Sequence, residues 1–134
     1  MNYTILSLLG FIWLVPMIPG TVIEVNNPSL SDGYVTTIAL ITSYSENDSC
    51  HYPIPAGCLT ASGTIAKAGV TVACPRYIPL STKINIGGHD HICEDRYNSN
   101  LSDRFDLFAG YGAKAHKEAK EFGAREMVVE IYHD

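Results

Sequence analysis

From Tyr34 onward the chain alternates short runs of β-branched and aromatic residues with Pro and Gly punctuation, and this pattern restricts the fold more than any other feature. Tyr34–Tyr44 (Tyr-Val-Thr-Thr-Ile-Ala-Leu-Ile-Thr-Ser-Tyr) has the composition of a first strand. Strand-like runs follow at 70–74, Lys83–Ile86, 91–94 and Arg104–Phe108, separated by Pro75, Pro79 and Gly87-Gly88. Residues 126–133 close the series, alternating Met127, Val129 and Ile131 with Val128, Glu130 and Tyr132. Only Gly112–Phe122 reads as a helix. Ala115, Ala119 and Phe122 share one face, the charged residues lie elsewhere, and Gly123 suits the position just past a helix end. Six short strands and one late helix predict a mainly β (all-β class) chain closed into a small barrel.

A length of 134 residues leaves room for one modest domain. Residues 5–15 form an apolar run that Pro16, Pro19 and Gly20 end; it is short for a membrane span but suits the core of a signal sequence. Residues 1–20 are therefore expected to be a signal peptide or signal anchor, although Lys and Arg are absent ahead of the run. Residues 21–33 are expected to be a linker, with Asn26-Asn27-Pro28 and Ser31-Asp32-Gly33 as turn signals, and 34–134 the folded domain. The expected location is secreted or in the cell envelope, as a monomer touching membrane only through its N-terminal segment. A formal net charge of −5 with no basic stripe argues against a nucleic-acid partner.

Cys50, Cys58, Cys74 and Cys93 fit that compartment, since an even count in a short exported chain suggests disulfides; three connectivities are open. Their separations contain no C-x-x-C knuckle, which disfavours zinc, and no other metal site is expected. Residues 45–57 form a polar loop between Cys50 and Cys58, and a bond there would pin a segment with little core of its own.

Few ionisable residues sit among apolar strand positions. Asp106 is the clearest, with Phe105, Leu107 and Phe108 around it; in an extended strand Asp106 and Phe108 face one side, Phe105 and Leu107 the other. A carboxyl beside aromatic surface loses hydration, which raises its pKa and suits it to proton donation. The plain alternative is a strand-end carboxylate paired with Arg104 or Arg96. Asp95 follows Ile92-Cys93-Glu94 and precedes a polar loop, where an Asx-turn is the plain alternative. Asp103 belongs to the solvated end of that loop, and Glu94, Glu126 and Glu130 read as outward strand positions. His51, His89, His91 and His116 lack a Ser or Cys partner in a nucleophile context, so a Cys/His hydrolase has weak support.

Several ordered motifs together resemble a known family. Thr60-Ala61-Ser62-Gly63-Thr64, then Val72-Ala73-Cys74-Pro75-Arg76-Tyr77-Ile78-Pro79-Leu80-Ser81-Thr82-Lys83, then Cys93-Glu94-Asp95 and Arg104-Phe105-Asp106-Leu107-Phe108 are similar to the 3D (Asp-Asp-Asp) domain. The ending, Ala119-Lys120-Glu121-Phe122-Gly123 and Val128-Val129-Glu130-Ile131-Tyr132, is similar to that family's last helix and strand. The likeness spans roughly 38–132. It implies a six-stranded double-psi β-barrel related to the catalytic barrel of MltA-type lytic transglycosylases. The family's second and third Asp map onto Asp95 and Asp106, eleven residues apart as in the MltA-like motif; the first maps onto Cys74. Arg96-Tyr97 stand where the family has two glycines. In such a barrel the strands bearing Cys74 and Cys93 run near each other, so the resemblance implies a Cys74–Cys93 disulfide, with Cys50–Cys58 as the second.

The resemblance further implies cleavage of the β-1,4 bond between N-acetylmuramic acid and N-acetylglucosamine in peptidoglycan, with no cofactor. Asp106 is the expected acid/base and Asp95 its partner. Tyr44, Thr60, Ser62 and Arg104 are candidate sugar contacts. Two alternatives stand beside this: an expansin-like module that binds wall polysaccharide without cutting it, and a hydrolase using Asp95 and Asp106 as an inverting pair.

Overall fold

The structure is a computed structural model in which residues 33–50, 53–97 and 103–133 are described. The expected signal segment 1–20, linker residues 21–32 and His51 lie outside the described residues. The elements in chain order are β1 (Tyr34–Tyr44), α1 (Glu46–Ser49), β2 (Pro53–Ile54), β3 (Gly57–Cys58), β4 (Thr71–Cys74), β5 (Lys83–Ile86), β6 (His89–Arg96), β7 (Arg104–Phe108), α2 (Gly112–Phe122) and β8 (Arg125–Tyr132).

Six of the strands close into a barrel in the order β1-β7-β4-β6-β5-β8. Two neighbouring pairs, β1–β7 and β4–β6, are parallel, and the remaining pairs are antiparallel. The mainly β barrel expected from the spacing of strand-like runs is therefore the fold adopted, and its architecture is compatible with a double-psi barrel.

Strand alternation decides what fills the interior. Ile41 on β1 sits opposite Phe105 on β7, and both are fully buried. Ala39, Val72, Cys74, Ile78, Ile84, Ile86, Cys93 and Val129 complete this core. Each large apolar side chain removed from water there contributes roughly 1.5–3 kcal/mol. The Cys74–Cys93 disulfide lies in the same core and joins β4 to β6. The second disulfide is Cys50–Cys58.

Three local features differ from the sequence expectation. β6 runs from His89, two residues earlier than expected, because Gly87 and Gly88 alone connect it to β5, with Ile86 opposite His89. Both glycines have positive φ (58° and 90°), as a two-residue hairpin turn demands. Residues 45–57 are not bare loop. Ser45 and Asp48 form a reciprocal capping box that starts the single turn α1, and β2 pairs with β3. β4 begins at Thr71 and β8 at Arg125, each one residue from the expected start.

Candidate active site

The outer face of the barrel carries a polar layer. Thr42 on β1 lies opposite Asp106 on β7, Asp106 opposite Ala73 on β4, and Ala73 opposite Asp95 on β6. Directly paired residues project to the same face of a sheet, so four adjacent strands present Thr42, Asp106, Ala73 and Asp95 in one row. A register shift between Val72 and Ala73 sets that row: Val72 pairs with Cys93, and Ala73 then pairs with Asp95, skipping Glu94. The irregularity thus aims Asp95, in place of Glu94, at the row, as β-bulges near functional sites do. Glu94 instead accepts a 2.6 Å hydrogen bond from the Thr71 hydroxyl.

Asp106 is 6% exposed. Its Oδ1 accepts a 2.7 Å hydrogen bond from Thr42 Oγ1, which itself accepts one of 2.8 Å from Arg104 Nε. Thr42 thus links Arg104 to Asp106, accepting from the guanidinium and donating its own proton to Oδ1. Burial pushes the Asp106 pKa above the usual carboxylate value. Thr42 and Arg104 oppose the shift, while the Asp48 and Asp95 charges add to it.

Asp95 has a different environment. Its Oδ2 accepts from Tyr44 Oη at 2.9 Å, and its Oδ1 from the Ala61 and Arg96 backbone N–H groups at 3.1 and 2.9 Å. With donors on both oxygens, Asp95 ties β1, β6 and the segment around Ala61 together.

Tyr44 is 4% exposed, so the candidate sugar contact is an interior strut whose hydroxyl is engaged by Asp95. Burial pushes its pKa far up, the Asp95 and Asp106 charges push it further, and the phenol remains a donor. Its ring leans on Phe108 at 5.2 Å, and Phe108 meets Tyr111 edge-on at 5.2 Å. Tyr111 Oη donates to the Ala66 carbonyl at 2.8 Å and accepts from the Cys58 N–H at 3.0 Å, which fastens the segment after β3 over the aromatic cluster. Gly57 permits this approach: with φ of 136°, a Cβ there would stand 2.6 Å from Tyr111 Oη.

Thr60 is buried and Ser62 half-buried, and with Thr64 they form a hydroxyl triangle with edges of 2.8 to 3.0 Å. Ala61 between them holds Asp95, so the triangle borders the carboxylate row. Arg104 is half-buried, with its guanidinium 4.3 Å above the Tyr97 ring. Asp103 is exposed and accepts a 3.4 Å bond from Tyr77 Oη, away from the row.

Sequence reasoning missed Thr42, Ala73, Tyr97 and Tyr111. It also found no serine for His116, yet Ser45 Oγ lies 3.1 Å from His116 Nδ1, 71 residues along the chain. The contact is not a catalytic relay. Ser45 is fully buried, its hydroxyl donates to Asp48 at 2.7 Å, and Asp48 approaches the same His116 nitrogen at 3.3 Å. Burial raises the Asp48 pKa, but the Ser45 hydrogen bonds and His116 outweigh it and hold the carboxyl low. The trio latches α1 to α2. No protein-family model and no curated protein matches this chain.

Proposed function

We propose that the chain is a lytic transglycosylase-like enzyme of peptidoglycan, with Asp106 as its acid/base. One observation carries the reading: Asp106 is a nearly buried carboxyl with a raised pKa whose Oδ1 is held by Thr42, and Oδ2 is the oxygen assigned to proton transfer. Oδ2 protonates the glycosidic oxygen as the bond to C1 of N-acetylmuramic acid breaks. The same carboxylate then takes the proton of the C6 hydroxyl as that oxygen attacks C1, giving a 1,6-anhydro end and restoring the acid. No water nucleophile enters, so one proton-transferring carboxyl suffices, and Asp95 serves by keeping Tyr44 and the 60–64 segment in place. The reaction uses no cofactor. The two disulfides fit an oxidising compartment, in keeping with export to the cell envelope.

Incubating the purified protein with peptidoglycan and analysing the soluble fragments by mass spectrometry tests this. Anhydro-muropeptides are expected, and Asp106→Asn should lower their rate by about 10²–10⁴-fold without unfolding the protein. Reducing-end sugars would point instead to hydrolysis by an Asp95/Asp106 pair.

A second reading, an expansin-like module that binds wall polysaccharide without cutting it, draws on Cys74. That residue, where the resembling family has its first Asp, packs in the barrel core, and Ala73 faces the carboxylate row in its place. Wall binding unchanged by Asp106→Asn, with no anhydro product, would favour this reading.

A further inference from the structure

α2 and the strands β1, β4, β6 and β7 leave between them a cleft of about 240 Å³, bordered by Ser43, Thr71, His91, Leu107, Glu118 and Phe122. Strand alternation sets its Ser43 and Leu107 wall apart from the carboxylate row. Ser43 and Leu107 are paired with each other and project to the opposite face from Thr42 and Asp106. Phe108, at the strand end, borders both. Glycan cleavage by Asp106 makes no use of this space.

The cleft contains an unexplained polar group. His91 is 8% exposed, and its Nδ1 is buried with no hydrogen-bond partner. Native proteins rarely leave a buried polar atom unpaired without an ion, water or ligand to account for it. Burial lowers the His91 pKa, His89 lowers it further and Asp90 opposes, so the ring is neutral at neutral pH and one of its nitrogens accepts.

The other polar groups at the cleft are also acceptors. Ser43 Oγ gives its proton to the Leu107 carbonyl at 3.0 Å and keeps lone pairs to offer. Glu118 is a carboxylate whose ion pair is loose: Lys114 Nζ stands 3.7 Å away on a side chain that is 89% exposed. Thr71 has its proton committed to Glu94 and one lone pair to the Lys67 N–H. Leu107 and Phe122 supply apolar wall. Acceptors including one carboxylate, set on apolar surface, select a cation with N–H donors and a short hydrocarbon body. The volume equals that of about eight waters, which limits the ligand to a compact molecule or to one side chain of a larger one.

We propose that this cleft is a second binding site, for a primary ammonium group whose N–H bonds meet Glu118, His91 and Ser43 and whose hydrocarbon rests on Leu107 and Phe122. The ammonium comes either from a free small amine or from an amino-bearing side chain of a wall peptide, and the chemistry of recognition is the same.

Titrating the isotopically labelled protein with n-butylammonium, following the His91 ring signals by NMR, tests the site without reference to catalysis. A saturable shift is expected, with none from 1-butanol or butyrate at equal concentration. Glu118→Gln, at a half-exposed side chain, should weaken binding at least tenfold, and Lys114→Met should tighten it. His91→Phe should abolish it; should that variant not fold, Glu118→Gln still decides. An equal response to 1-butanol, an unchanged affinity in Glu118→Gln, or no saturable shift would each overturn the proposal. A stem peptide with a free side-chain amine, compared with its N-acetylated form, identifies the source: tighter binding than n-butylammonium assigns the site to the wall, equal binding to free amines. Because the readout is binding, a protein that cuts no glycan can still pass, and an active enzyme can still fail.

Discussion

The two faces of the β1–β7 pair are built from the same ten residues of backbone yet obey different rules. Of the inward side chains, Ile41 and Phe105 pack in the apolar core and are specified by volume. The outward ones, Thr42, Tyr44 and Asp106, are nearly as inaccessible but are specified by who donates to whom. An interior of the first kind tolerates any residue of the right size and shape. A layer of the second kind is sensitive to loss of a donor, most of all at the nearly buried Asp106, where a stranded acceptor is largely shut off from water. One strand can therefore be permissive and exacting at alternate positions.

Substitutions on either side probe that contrast. Phe105→Ala should remove about 3–5 kcal/mol by cavity formation, measured by urea unfolding, with Phe105→Leu costing far less. Tyr44→Phe keeps the ring and deletes one oxygen, and should still cost about 1 kcal/mol by removing the donor to the half-buried Asp95 Oδ2. A neutral Tyr44→Phe would mean that the outer layer is only a second packed core.

pH sharpens the comparison further. The folded pKa of Asp106 lies above its unfolded value of about 3.9, so the native state binds more protons between the two. Stability should therefore fall as pH rises through that window. Asp106→Asn should flatten this decline in unfolding midpoints and be the more stable form above it; parallel pH profiles would refute the assignment. The smallest effect is expected at Ser81, the non-glycine residue with positive φ (74°) among the described residues. Ser81→Gly should add about 0.5–1 kcal/mol, as relief of left-handed strain exceeds the added chain entropy.

Much of the barrel was legible because its signals are local. β1, β5, β7 and α2 have the bounds expected from β-branched and aromatic runs, helical spacing and Pro or Gly breaks. The alternation across Phe105-Asp106-Leu107-Phe108 also assigned each side chain to its proper face. Relations that depend on register were not legible. Nothing near Thr42 announces that parallel pairing will set it against Asp106, or that a shift after Val72 will bring Asp95 to Ala73. The capping box Ser45–Asp48 was a readable motif hidden in a polar stretch, whereas His116's place beside it depends on the packing of α2.

The hydrogen bond between Thr42 and Asp106 joins residues 64 positions apart in a parallel strand pair. Such pairings are slow to form, since a long loop must close before any contact rewards it. Until β7 docks beside β1, Asp106 is a hydrated carboxylate of ordinary acidity. The raised proton affinity is thus a property of the closed barrel, and unfinished or extended copies do not possess it.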